Sequence, residues 1–196
     1  MLEFAAAVFF LIITPGPGVL SAAGVGSGYG YRAGFAYVAG LCVGNALVGA
    51  AVVSGIAAVV LAQPGLREVL LWGSAAYLLW LAAKIAFAGA RIAFIHAERA
   101  PGFWNGLALQ PINPKAYAVN TALFSGFAFM PGALAAETAI KFAILNAIWI
   151  PIHLLWLWAG VTLRRLDLAP KVQRAINVAM ALSMLAVVAI AVAAQL

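Results

Sequence analysis

Long apolar segments, separated by short polar breaks, run through the whole chain. At about 20 apolar residues per bilayer crossing, the pattern predicts about six transmembrane helices: residues 4–27, a stretch within 34–62, 69–90, 103–130, 139–163 and 175–196. The punctuation between them is short and chemically plain. Gln63-Pro64-Gly65 with Arg67 and Glu68 makes one turn, residues 91–101 with His96, Glu98 and Arg99 make a longer loop, Met130-Pro131-Gly132 makes another turn, and residues 164–174 form a basic loop. The expected fold is therefore an all-α integral membrane protein in a single domain, residues 1–196. The first apolar run begins at Met1-Leu2-Glu3 without a basic segment ahead of it and continues past Pro17, so it reads as the first span rather than as a secretion leader.

Two of the six runs are interrupted near their middle. In the fourth, Asn113-Pro114-Lys115-Ala116 combines a proline, which removes a backbone donor from the helical ladder, with an asparagine pushed away from the α region by that proline and an ammonium group. A break and a cation within an apolar run are costly in lipid and survive where they line a polar cavity. In the first, Thr14-Pro15-Gly16-Pro17-Gly18 repeats the proline break at similar depth. The second spans of the two halves carry Asn45 and Asn146 at nearly the same offset. Two halves of three spans each, about 1–90 and 103–196, imply a second repeat inserted upside down relative to the first. Interrupted helices in inverted repeats are a transporter pattern, with the substrate site at the repeat interface near the midplane.

Composition narrows the function further. Hydrophobic residues make up 66% of the chain and charged residues 8%, against about 25% charged in soluble domains, and the connecting segments leave no room for a soluble catalytic domain. The net charge of +6 is carried by residues scattered singly through loops, without the basic helix or stacked aromatics of a nucleic-acid binder. Cys42 is the only cysteine, so no intramolecular disulfide forms. The spans show no grouping of acids, nucleophiles or metal ligands, which argues against an enzyme, a cofactor and a metal site. The glycine-rich run from Gly24 to Gly30 lacks the full dinucleotide spacing and follows an apolar helix rather than a strand. It is expected to be a close-packed helix end, with Arg32 at the surface. Gly40 and Gly44 have the small-xxx-small spacing that lets helices approach closely, within one chain or between two copies, so a homo-oligomer stays open.

The basic residues set an expected orientation. Arg32, Arg91, Arg99, Arg164, Arg165, Lys171 and Arg174 follow spans one, three and five, while the other side holds only Arg67 and Lys141. The positive-inside bias places the first set in the cytoplasm and both termini outside.

Candidate site residues are Thr14, Pro15, Gly16, Pro17, Asn45, Asn113, Pro114, Lys115 and Asn146, with His153 as the candidate proton-coupling group because its ordinary pKa suits the role. Each has a plainer reading beside it. The first break could be a packing kink, Lys115 could snorkel to an interface, Asn45 and Asn146 could bond across helices, and His153 could be a hydrogen-bonded packing residue. Tyr117 and Asn120, just past the second break, are further candidates for lining residues. Trp156 and Trp158 read as an interfacial belt.

Three blocks in order, Thr14-Pro15-Gly16-Pro17, Gly73 through Tyr77-Leu78-Leu79-Trp80-Leu81, and Asn113-Pro114-Lys115-Ala116, resemble the LysE/RhtB-type family of amino-acid exporters. The resemblance covers essentially the whole chain. It implies a small multi-pass exporter in the bacterial inner membrane, moving amino acids or related metabolites outward with the proton gradient. Two positions depart from the family's pattern. Gly18 stands where the first motif continues with Asn, and Asn45 stands about where some members carry Asp. These departures keep another small metabolite or a cation open as cargo, besides a non-transporting accessory subunit.

Overall fold

The computed structural model describes residues 1–86, 100–130, 132–166 and 168–193. The loop that holds Arg91, His96, Glu98 and Arg99 lies outside these residues, as do Pro131, Asp167 and the side chains of Arg67, Glu68 and Lys84. The described part is helical, without strands: α1 (Leu2–Ile13), α2 (Pro17–Tyr29), α3 (Tyr31–Val53), the short α4 (Ile56–Leu61), α5 (Pro64–Ala86), α6 (Phe103–Ile112), α7 (Pro114–Ser125), α8 (Leu134–Arg165) and α9 (Pro170–Ala193).

Both expected breaks are present. The chain bends by 52° between α1 and α2, because Pro15 and Pro17 remove donors at the point where α1 ends on Thr14 in an extended conformation. Pro17 then opens α2 at the first helical position, where a missing N–H costs nothing. The same logic starts α7 at Pro114, with Asn113 in the extended region before it and its Oδ1 accepting from the Lys115 N–H at 3.1 Å. By length and apolar content α3 and α8 each suffice to cross a bilayer, and α1 with α2, taken as one bent span, makes a third. In α8 the helix continues through Pro151 without ending. Gly30, at φ +80°, makes the sharp join between α2 and α3 that a residue with a Cβ rarely adopts.

The helices around the breaks pack at backbone distance, through glycine. A Cβ on Gly40 would collide with the carbonyl of Phe103, and one on Gly106 with the carbonyl of Tyr37, so α3 and α6 touch main chain to main chain. Gly44 lies against Leu107 on the same seam. Gly26 and Gly160 do the same for α2 and α8, where a Cβ would meet the carbonyls of Leu157 and Ala23. Thus the first broken span packs on α8 and the second on α3, while α5 lies along α9.

Glu137, in the first turn of α8, is buried and pairs with buried Lys141 at 2.9 Å. Its other oxygen accepts from the N–H groups of Phe129 and Met130, and Lys141 donates to the carbonyls of Gly126 and Phe124. Lys141 also lies over the rings of Phe4 and Phe129. The pair ties the segment after α7 to α8 and to the start of α1, and every charge in it is compensated. We expect Glu137→Gln, which leaves the Lys141 ammonium without its counter-charge, to cause a several-fold drop in monodisperse protein after detergent extraction. Size-exclusion chromatography checks this, and an unchanged profile would show that the pair is dispensable.

Candidate functional site

The two breaks meet. Lys115, from the first turn of α7, reaches across to the end of α1, where its Nζ donates to the carbonyl oxygen of Thr14 at 2.5 Å. Its aliphatic stem lies on Gly16, where a Cβ would come within 2.8 Å of Lys115 Cδ. An ammonium at a helix C-terminus is stabilised by the dipole and by unsatisfied carbonyls. Lys115 therefore lies between the breaks and binds one of them, rather than pointing away along the helix to an interface.

Between the breaks lies a small cavity of about 40 Å³, space for a few waters at about 10–15 Å³ each. Ile12 from α1, Gly16 before α2, and Gly18 and Val19 from α2 form one side. Gln110, Asn113, Lys115, Ala116 and Val119 from α6 and α7 form the other. Asn45 of α3 with Trp149 and His153 of α8 complete it. Five of these twelve are polar side chains, and among the described lining residues none is Asp or Glu.

Each polar group is held in a definite way. Asn113 is committed locally, as cap of α7 through Oδ1 and as donor through Nδ2 to Gln110 Oε1 at 3.2 Å. Asn45 Oδ1 accepts from Asn120 Nδ2 at 3.1 Å, which joins α3 to α7. The ring of His153 stacks on Trp149, with centroids 3.4 Å apart and planes 14° from parallel. Its Nδ1 lies 2.9 Å from the Trp149 carbonyl. A carbonyl only accepts, so Nδ1 carries the proton, and in the neutral ring Nε2 presents a lone pair. That Nε2 points past Gly18, where a Cβ would stand 3.1 Å from it. At the start of α2, Gly16 offers no side-chain cap, so the first-turn N–H groups have no partner inside the helix.

Of the residues expected at the site, Gly16, Asn45, Asn113, Lys115 and His153 line the cavity. Thr14 contributes its carbonyl, while its hydroxyl bonds back to Phe10. Pro15, Pro17 and Pro114 shape the breaks without lining the space. Asn146 is elsewhere: its Nδ2 donates to Phe142 O and its Oδ1 accepts from Cys42 Sγ. Tyr117 braces the second break by donating to Pro111 O at 2.8 Å, and Asn120 supports Asn45; neither lines the cavity. Sequence reasoning missed Gln110, Trp149 and the apolar wall of Ile12, Val19 and Val119. Gln110 carried a signal, as a lone amide in an apolar run three residues before Asn113. Trp149 carried none.

Helices broken at prolines and packed through glycine, with a partly open cavity between the breaks that carries several polar side chains, fit a membrane translocator. The chain belongs to the LysE type translocator family, whose sequence model matches residues 9–195, nearly the whole length. Neither the curated proteins nor the solved structures give a match.

Proposed function

We propose that the protein is a secondary exporter of amino acids or closely related small carboxylates, and that the cavity between the two breaks is the substrate site. The observation that carries this reading is the Lys115 ammonium held beside the uncapped start of α2. A carboxylate there would meet a full positive charge and unpartnered N–H groups together. The lining holds an amine and no carboxylate among its described residues, which favours a carboxylate-bearing cargo over a simple cation. Five polar side chains enclosed by apolar helices serve an accessory subunit poorly.

The cycle follows from the same contacts. The substrate carboxylate takes Lys115 away from the Thr14 carbonyl, which unties the two breaks and lets the halves rock about the site. The pairing of the first broken span with α8 and of the second with α3 is the exchange of partners that two related halves produce, and it supports six spans in inverted three-helix repeats. His153, with Lys115 one of the two titratable side chains lining the cavity, is the group for proton coupling. The protein would lie in the bacterial inner membrane, with the basic loops after spans one, three and five in the cytoplasm and both termini outside; the small-residue faces leave a homo-oligomer open.

The test is metabolite release. Cells expressing the protein are loaded with a panel of dipeptides, and free amino acids in the medium are followed over time, with Lys115→Ala as the matched control. Faster release of one or a few amino acids by the wild type alone supports the reading. No change despite good membrane expression overturns it.

A further inference from the structure

The proposed carboxylate site occupies only one end of the cavity. Two residues along the start of α2 the chemistry changes. Gly16 lies under Lys115, but Gly18 lies in front of His153, whose Nε2 would be 3.1 Å from a Cβ there, with Gln110 Nε2 at 3.7 Å. His153 and Gln110 are each more than nine-tenths buried, and both line the cavity. The Nδ1 proton of His153 is engaged by Trp149 O, and Gln110 Oε1 accepts from Asn113. What faces Gly18 is therefore a ring nitrogen lone pair and an amide N–H pair, a neutral hydrogen-bonding end. Ile12, Val19, Ala116 and Val119 form an apolar part of the wall, beside the amides of Asn45 and Asn113.

We propose that Gly18 is the specificity-determining residue of this site: its missing side chain opens the neutral end formed by His153 and Gln110 to the α-ammonium, which turns the substrate's side chain onto the apolar wall and so selects amino acids whose side chains carry no charge. The inference rests on the export reading above and goes on to say which amino acids are carried. The α-carboxylate binds Lys115. The α-ammonium donates to His153 Nε2. A small uncharged side chain then lies against the apolar wall. A second ammonium, as in lysine, would add a further cation to Lys115 and the α-ammonium with no carboxylate among the described lining residues, and the side-chain carboxylate of glutamate would lie against the apolar wall, away from Lys115; a charge buried without a partner beside it is costly. A side chain on residue 18 would occupy the space of the α-ammonium.

The experiment is exchange in proteoliposomes holding the purified full chain, with labelled glycine, alanine, threonine, lysine and glutamate outside and the same unlabelled compound inside. Wild-type protein should exchange glycine, alanine and threonine at least about tenfold faster than lysine or glutamate, and Gly18→Ala should slow threonine by about tenfold, the effect of a methylene-sized misfit in a binding pocket. Glycine and alanine exchange should fall with it, because the α-ammonium whose space is taken is common to all three. Gly18→Val should abolish exchange of all five, and where it fails to fold, Gly18→Ala decides. Lysine or glutamate exchange as fast as threonine, or threonine exchange unaffected by Gly18→Ala, overturns the inference. If that fast lysine or glutamate exchange is lost in Lys115→Ala, the export reading survives without it. A folded wild-type protein that exchanges none of the five overturns both.

Discussion

Replacing Lys115 with alanine is expected to reduce export to the background of empty membranes while the amount of protein in the membrane stays the same. Two roles end together. The substrate carboxylate loses its counter-charge, and truncating one member of such a charge pair typically costs about 2–5 kcal/mol. At about 1.4 kcal/mol per factor of ten, even the lower figure removes more than nine-tenths of the flux. The Thr14 carbonyl also loses its donor, so the tie between the breaks is gone in the resting state. That tie is one hydrogen bond among many helix contacts, which is why abundance should hold. Lys115→Arg keeps the charge but must fit a guanidinium where Gly16 already packs closely against the lysine stem, so reduced export is expected from it. The measurement is release rate normalised to immunodetected membrane protein, and full activity of the alanine variant would remove Lys115 from the site.

The second large effect concerns folding. Gly106→Ala and Gly40→Ala each place a methyl on a facing backbone carbonyl, of Tyr37 and of Phe103 respectively. No rotamer relieves a clash between a Cβ and a main chain, so α3 and α6 must separate, and the contacts along the seam go with them. Overpacking of this kind costs about 1–3 kcal/mol, occasionally more, and the upper end is expected here because both partners are backbone. The result should be a lower melting temperature and loss of the monodisperse peak. Gly73→Ala is the contrast. Nothing lies within 4 Å of a Cβ there, and replacing a mid-helix glycine by alanine is worth about 0.5–1 kcal/mol in the helix's favour. Gly73→Ala should therefore be as stable as the wild type or more so, and equal losses in all three variants would refute the seam argument.

The two effects separate what could be read along the chain from what could not. The breaks were legible because their cause is local: a proline removes its own donor and restricts the residue before it, and Thr14, Pro17, Asn113 and Pro114 stand where those rules put them. The seam was half legible. Gly40 and Gly44 have the right spacing, but the glycines that matter equally on the facing helices, Gly106, Gly26 and Gly160, follow from which helix lies opposite. Asn45 and Asn146 show the limit most clearly. They have similar positions in their halves, yet one lines the cavity and the other bonds Phe142 and Cys42, because the rotation of a helix about its axis is decided by its neighbours. Glu137 stands at the start of α8, and its burial against Lys141 depends on the segment 126–130 folding over it, which its place along the chain does not show.

By itself, the sequence determined an apolar helical chain, interrupted twice by proline, with one lysine at the second interruption, since these depend on hydropathy and on backbone chemistry within a few residues. Only the tertiary structure decided that Lys115 binds the other break across 101 residues of chain, that Gly18 opens the face of His153, and that Gln110 and Trp149 join them. Those are relations between helices, and they are set by which faces pack closely enough to exclude everything else.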